Sequence, residues 1–304
     1  MNYRHAYHAG NFADVLKHVV LALVIDYLKR KEAPFRVVDT HAGRGRYVLT
    51  SKEAGKTGEW LTGIGRVLGP DAPPLPPAVD RLLAPYRAAI AAENTPGALA
   101  VYPGSPLIAQ KLMRSQDVLV VNELHPEERT ALQTALGRDR RVKVMGVDGW
   151  SAVKSLLPPK ERRGIVLIDP PFEEEGELAR LANALAEGLQ RFATGTFIAW
   201  YPIKDLKPIA RFREGLEAPP GRSLLSVELM TRRPNDPGRL NGCGLIIANP
   251  PHTLQDELGA ILPELTRRMA QDAAARYSVR QLEISMQARQ KSPAEAKRRM
   301  RSEP

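Results

Sequence analysis

Ile165-Val166-Leu167-Ile168-Asp169-Pro170-Pro171-Phe172 is the stretch on which the reading of this chain turns. An unbroken apolar run suits a strand buried on both faces, as in parallel sheets covered by helices. The run ends in a carboxylate, and two prolines then stop the strand, because proline fixes φ and has no N–H. The Pro170 carbonyl is left unclaimed by the proline that follows it, and an aromatic ring comes next. Three further apolar runs, 35–38, 118–121 and 142–145, also end near acidic residues, Asp39, Glu123 and Asp148. Open α/β sheets bind ligands just outside the carboxyl ends of their strands, so four acids at four such ends predict one ligand crevice.

Working outward, 196–200 and 245–248 extend the sheet, and 178–192 and 254–269 read as covering helices. The first long element starts at an Asn11 cap, has Asp14 in its first turn and runs as an amphipathic helix to Lys29-Arg30-Lys31. Between the first two strands, Pro70, Pro73, Pro74, Pro76 and Pro77 precede an alanine-rich segment at 79–92, which predicts a small helical insertion. Ser105 is placed to cap, and Pro106 to start, the helix that returns the chain to the second strand. The expected fold class is a Rossmann-like, doubly wound α/β sheet. Its main domain spans 1–50 and 104–275, with the insertion at 51–103 and a basic C-terminal tail, fraying helix or disordered, at 276–304.

A length of 304 residues, 43% hydrophobic and 26% charged, is that of a folded globular protein. The net charge of +10 points to an acidic partner, most simply a phosphodiester backbone. One cysteine, Cys243, excludes an internal disulfide and a cysteine-rich metal site, which fits a reducing cytoplasm. The apolar 19–25 segment is too short to span a bilayer and no signal-peptide pattern is present, so no membrane association is expected.

The chemistry follows from the residue types. An exocyclic amino nitrogen on a base is a poor nucleophile because its lone pair is delocalised into the ring. Asp169 and the Pro170 carbonyl can accept the two amino hydrogens, and Phe172 can stack on a base swung out of its helix. Glu123 can accept both ribose hydroxyls of an adenosyl ligand, and Asp148-Gly149 can offer a carboxylate to its amino group and a backbone N–H to its ring. Gly43 and Gly45 let the loop after Asp39 approach a ligand closely. Asn249-Pro250-Pro251-His252 has a similar shape but follows the last predicted strand, and is read as a strand-terminating turn. Tyr3, His5 and neighbouring aromatics and histidines suit base stacking and phosphate contact, whereas no carboxylate or cysteine is spaced to complete a metal shell.

Taken together, Tyr3-Arg4-His5, His8-Ala9-Gly10-Asn11, Ala13-Asp14-Val15-Leu16-Lys17-His18, Asp39-Thr40-His41-Ala42-Gly43, Pro103-Gly104-Ser105-Pro106-Leu107, Glu123-Leu124-His125-Pro126 and Asp169-Pro170-Pro171 resemble the bacterial large-subunit (23S) ribosomal RNA adenine-N6 methyltransferase family. Arg191-Phe192-Ala193-Thr194-Gly195-Thr196 and Trp200-Tyr201-Pro202 extend the likeness to about Ser285. The resemblance implies that S-adenosyl-L-methionine is the cofactor, held by His18, His41, Ser105, Glu123, Asp148, Gly149 and Asp169, with Asp169 catalytic. It implies that Tyr3, His5 and Lys17, with Phe172, face RNA, and that the substrate is 23S ribosomal RNA, naked or early in assembly; the protein is expected to act as a monomer. Phe172 stands where the family carries tyrosine, which keeps the stacking face and loses a hydroxyl, and 286–304 has no counterpart in the family. A DNA adenine methyltransferase or a non-catalytic RNA-binding protein would share parts of this pattern. Which nucleic acid accepts methyl, and whether S-adenosylmethionine binds, separates them.

Overall fold

The computed structural model describes residues 5–216 and 221–282. After a short 3-10 turn at His5–Tyr7, the elements run α1 (Phe12–Lys29), β1 (Arg36–Asp39) and β2 (Arg46–Val48). Five short helices follow, α2 (Lys52–Thr57), α3 (Glu59–Thr62), α4 (Ile64–Leu68), α5 (Pro77–Leu82) and α6 (Ala84–Ala91), before β3 (Val101–Pro103) and α7 (Ser105–Leu112). Strands and helices then alternate through β4 (Val118–Asn122), α8 (Pro126–Leu136), β5 (Val142–Met145), α9 (Gly149–Ser155), β6 (Gly164–Ile168), α10 (Glu177–Arg191), β7 (Thr196–Ile203) and α11 (Leu206–Glu214). The chain closes with β8 (Leu224–Met230), β9 (Gly242–Ala248), α12 (Leu254–Met269) and β10 (Arg276–Leu282).

Eight strands form one sheet in the order β10-β8-β9-β7-β6-β1-β4-β5, while β2 and β3 pair separately. From β7 to β5 the pairing is parallel, as the apolar runs predict. From β1 the chain moves outward to β4 and β5 and then returns to place β6 on the other side of β1. That reversal is a topological switch point, where a crevice opens at the carboxyl ends. The fold class is the doubly wound α/β sheet expected.

Several local expectations change. The segment after Ala275 is neither a helix nor a loose tail at its start: Arg276–Leu282 pair antiparallel with β8 as an edge strand. Ladder hydrogen bonds hold it, so it needs little burial and carries charged side chains that discourage further pairing; residues 283–304 lie outside the described residues. Helix α1 is not amphipathic, because nearly its whole length is buried, Asp14, Lys17 and His18 included. Its N-terminus is capped as expected, with the Asn11 side chain accepting from the Ala13 and Asp14 N–H groups. Ser105 is the first residue of α7 and does not cap it; its hydroxyl donates to the buried Asp39 carboxylate at 2.7 Å, a stronger acceptor than water.

The Asn249 loop lies close to β6 in sheet order but at the wrong edge. β9 runs antiparallel to β7, pairing Ala248 with Phe197, so Asn249 sits at the amino end of β7 while Asp169 leaves the carboxyl end of β6. Its side-chain amide donates to the Ala193 and Gly195 carbonyls at 3.0 and 2.8 Å, the strand-terminating role expected of it. Among the described residues no helix is long and apolar enough to cross a membrane.

Candidate active site

A cleft of about 960 Å³ opens at the carboxyl ends of the parallel strands. Ligand pockets for small molecules run to roughly 300–1,000 Å³, so this one has room for a cofactor and a base together. His5, Lys17, His18, His41, Ser105, Glu123, Asp148, Gly149, Asp169 and Phe172 all line it. Tyr3 lies outside the described residues.

One wall is set by the sheet. Glu123, just past β4, accepts from the Gly43 N–H at 2.9 Å and the His125 N–H at 2.8 Å, which fixes its carboxylate and leaves each oxygen a second lone pair for a ligand hydroxyl. Burial raises its pKa, and those two backbone bonds hold the rise in check. Gly43 and Gly45 adopt positive φ, of 62° and 76°, which lets the loop after β1 fold over this wall. Asp148 caps α9 by accepting from the Ser151 N–H, so the commonplace role of an acid at a strand end and a place in the cleft coincide in one residue. Gly149 is held to glycine by space: a Cβ there would lie 2.2 Å from His41 Nε2. Burial lowers the His41 pKa to about 4, so the ring is neutral, fixed by Thr40 Oγ1 at 2.8 Å and edge-on to Trp150.

The floor is a buried charge network that only the structure reveals. Lys17 donates to Asp14 Oδ1 at 2.9 Å and to Asp169 Oδ2 at 2.5 Å. Asp14 also accepts from the Gly10 N–H at 2.9 Å and lies 2.8 Å from His5 Nε2. Burial pushes the Asp14 carboxyl up, but His5 and Lys17 beside it prevail and hold it well below the usual range. Burial would likewise lower Lys17, and the two carboxylates instead raise it well above its ordinary value. Lys17, expected to face RNA, is 4% exposed, and its ammonium is committed to two carboxylates in the cleft. Asp14 was legible only as a first-turn acid, although its i, i+3 spacing to Lys17 was a signal for the pair.

Beside this network, His18 Nδ1 meets the Tyr102 hydroxyl at 2.8 Å, while Nε2 is buried without a hydrogen-bond partner. Burial, and then the neighbouring Lys17 charge, drive its pKa well below the ordinary value, so the ring is neutral. An orphaned buried nitrogen lining a cleft fits a polar ligand atom, since buried polar groups are otherwise almost always paired. Asp39, held by Ser105, is raised by burial to about 6. Opposite, Phe172 follows Pro171 with φ of 53° and meets Trp200 edge-on at 5.6 Å, which fixes its ring at the mouth beside Asp169. Backbone strain at a non-glycine residue is concentrated at functional sites. Among the described residues no group of three or more His, Cys, Asp or Glu side chains is arranged to hold a metal ion.

The family model described as "Ribosomal RNA large subunit methyltransferase D, RlmJ" matches residues 32–281. The chain belongs to that family. Two proteins named ribosomal RNA large subunit methyltransferase J are similar to it. The one from Haemophilus influenzae is 43% identical over 280 residues, 92% of this chain and 98% of that protein. The one from Escherichia coli is 42% identical over 269 residues, 88% and 94% of the two chains. A crystal structure of a Legionella pneumophila protein, 33% identical, superposes with a TM-score of 0.77 over 90% of this chain and 98% of the other. The family match ends inside β10, so the edge strand belongs to the family's extent and residues beyond it fall outside.

Proposed function

We propose that this chain methylates the exocyclic N6 amino group of an adenine in 23S ribosomal RNA, using S-adenosylmethionine, on RNA that is protein-free or early in assembly, and that it does so as a cytoplasmic monomer. The observation that carries the reading is the meeting, in one cleft, of the Asp169-Pro170-Pro171-Phe172 loop with the Glu123, His41 and His18 wall. The relatives' name supplies the substrate class.

S-adenosylmethionine, when bound, supplies the electrophilic methyl group. Glu123 would accept from the ribose hydroxyls, Asp148 from the adenine amino group, the Gly149 N–H would donate to the adenine ring, and the orphaned His18 nitrogen would meet a polar group at the far end. At the mouth, Phe172 holds the flipped target base by its face, offsetting part of the cost of unstacking. Lys17 occupies Asp169 Oδ2, so Oδ1 is the oxygen left to accept one amino hydrogen while the Pro170 carbonyl accepts the other. Two acceptors on one amino group localise its lone pair and aim it at the methyl, catalysis by positioning. The proton lost from the nitrogen passes to Asp169 or to solvent at the cleft mouth.

The test is tritiated methyl incorporation into protein-free ribosomal RNA, assembled large subunits and adenine-containing duplex DNA, side by side. The reading requires label in the RNA and none in the DNA. Preferential labelling of DNA would overturn it, and equal labelling of naked RNA and assembled subunits would remove the statement about timing.

A further inference from the structure

The cleft continues past Trp200 and Pro202 to a rim that the chemistry above does not use. Lys204 follows β7, and Arg232 and Arg239 lie on the β8–β9 loop, all three lining the cleft. Because β8 runs parallel to β7 through the intervening antiparallel β9, this loop projects at the same sheet edge as Asp169. None of the three makes an ion pair with a described residue, and Arg232 Nε is buried without a hydrogen-bond partner. The two segments are tied together by Asn241, fully buried, whose amide donates to the Lys204 carbonyl at 2.9 Å and the Asp236 carbonyl at 2.8 Å. The β8–β9 loop is tied in turn to the α12–β10 loop, with Gln271 N–H donating to Thr231 O at 2.8 Å and Arg233 N–H to Asp272 Oδ2 at 2.9 Å. These cations are therefore carried on a cross-braced platform rather than on loose loops. The loop after Phe172 brings Glu173 and Glu174 to the same cleft, where Arg180 is ion-paired with Glu174, and Glu177, at the start of α10, is buried and accepts from the Glu174 N–H.

From these cations we infer that Lys204, Arg232 and Arg239 bind phosphates of the RNA strand flanking the target nucleotide. The inference rests on the proposed RNA substrate and adds the direction from which the strand enters. Unpaired guanidinium groups suit phosphate, because their planar donors match two of its oxygens. A backbone laid along this rim lets a swung-out base reach Phe172 and Asp169 in the same cleft.

Each phosphate contact contributes roughly 0.7 to the log–log salt slope for a single strand. The K204A/R232A/R239A variant should therefore lose about 2 from the slope of log KM for protein-free 23S ribosomal RNA against log salt, with KM raised at least about tenfold at low salt. Its kcat at saturating RNA and its S-adenosylmethionine affinity by calorimetry should stay within about twofold of the unaltered protein. Arg232 is half-buried, so the exposed pair K204A/R239A is measured alongside and should lose about 1.4. The charge-matched control R138A/R140A/K160A removes three cations from the opposite sheet edge and should keep the slope of the unaltered protein. An unchanged slope in both rim variants, or an equal loss in the control, would overturn the inference while leaving the proposed substrate standing. Failure of the unaltered protein to label the RNA at any salt would overturn both.

Discussion

Replacing Lys17 by methionine separates a buried structural cation from a phosphate-binding one. The change keeps the length of the stem and removes an ammonium bound to Asp14 at 2.9 Å and Asp169 at 2.5 Å. Taking one partner from a buried ion pair typically costs roughly 3–5 kcal/mol, because the other charge is left unpaired. Asp14 retains the Gly10 N–H and His5, and Asp169 faces the cleft, so the lower end applies, about 3 kcal/mol. Asp169 also loses the contact that fixes its orientation, and removing one positioned polar group commonly lowers kcat on the order of 100-fold. RNA affinity should keep its full salt dependence, because no phosphate contact is lost. Urea unfolding followed by circular dichroism gives the stability, and methyl transfer to protein-free RNA from 50 to 200 mM salt gives kcat and the slope of KM. A variant of unchanged stability whose salt slope falls by about 0.7–0.9 would place Lys17 on the RNA and refute the network.

Glu123→Ala should weaken S-adenosylmethionine binding at least about tenfold by calorimetry, since a hydrogen bond to a charged group contributes roughly 1.5–3 kcal/mol, with RNA affinity nearly unchanged. Asn249→Ala should leave kcat intact and cost about 2 kcal/mol in urea unfolding, from two lost amide bonds; an inactive but folded variant would move the chemistry to that loop. Two buried groups oppose one another in acid. His41, at about 4 against an ordinary 6.5, binds protons mainly when unfolded, so its contribution to stability falls as pH drops below 6.5. Asp39, at about 6 against 3.8, holds a proton in the folded state that the unfolded chain releases, so its contribution rises as pH drops through 6. Asp39→Asn removes the second effect, so the stability lost between pH 7 and pH 5 should exceed that of the unaltered protein by about 1 kcal/mol. Parallel pH profiles would show that Asp39 does not hold that proton.

Six strands of the main sheet were legible because burial on both faces demands continuous apolar runs, and 165–168 and 118–121 supply them. β8 and β10 were not. β8 is interrupted by Ser226 and Glu228, and β10 is polar and held by backbone pairing with β8, a partner remote in sequence. The direction of β9 could not be read either, since an apolar run is the same forwards and backwards; it is the direction that removes Asn249 from the cleft. At the site, the acids at strand ends were legible one by one because a sheet edge is a simple geometric object. His18, Ser105 and the RNA-facing reading of Lys17 came from family resemblance alone, and the burial of Lys17 was not legible because a lysine on a helix is usually solvated. Its position between Leu16 and His18 in an otherwise apolar helix was the available clue.

The central claim is that Asp169 directs methyl transfer to the N6 position of a ribosomal adenine. Large-subunit RNA from a strain lacking this gene, incubated with S-adenosylmethionine and either the unaltered protein or Asp169→Ala, is digested to nucleosides and analysed by mass spectrometry. N6-methyladenosine should appear with the unaltered protein and fall at least about 100-fold with the variant, at unchanged cofactor affinity. Methyl found on another base or another atom, or a variant that turns over normally, would contradict it.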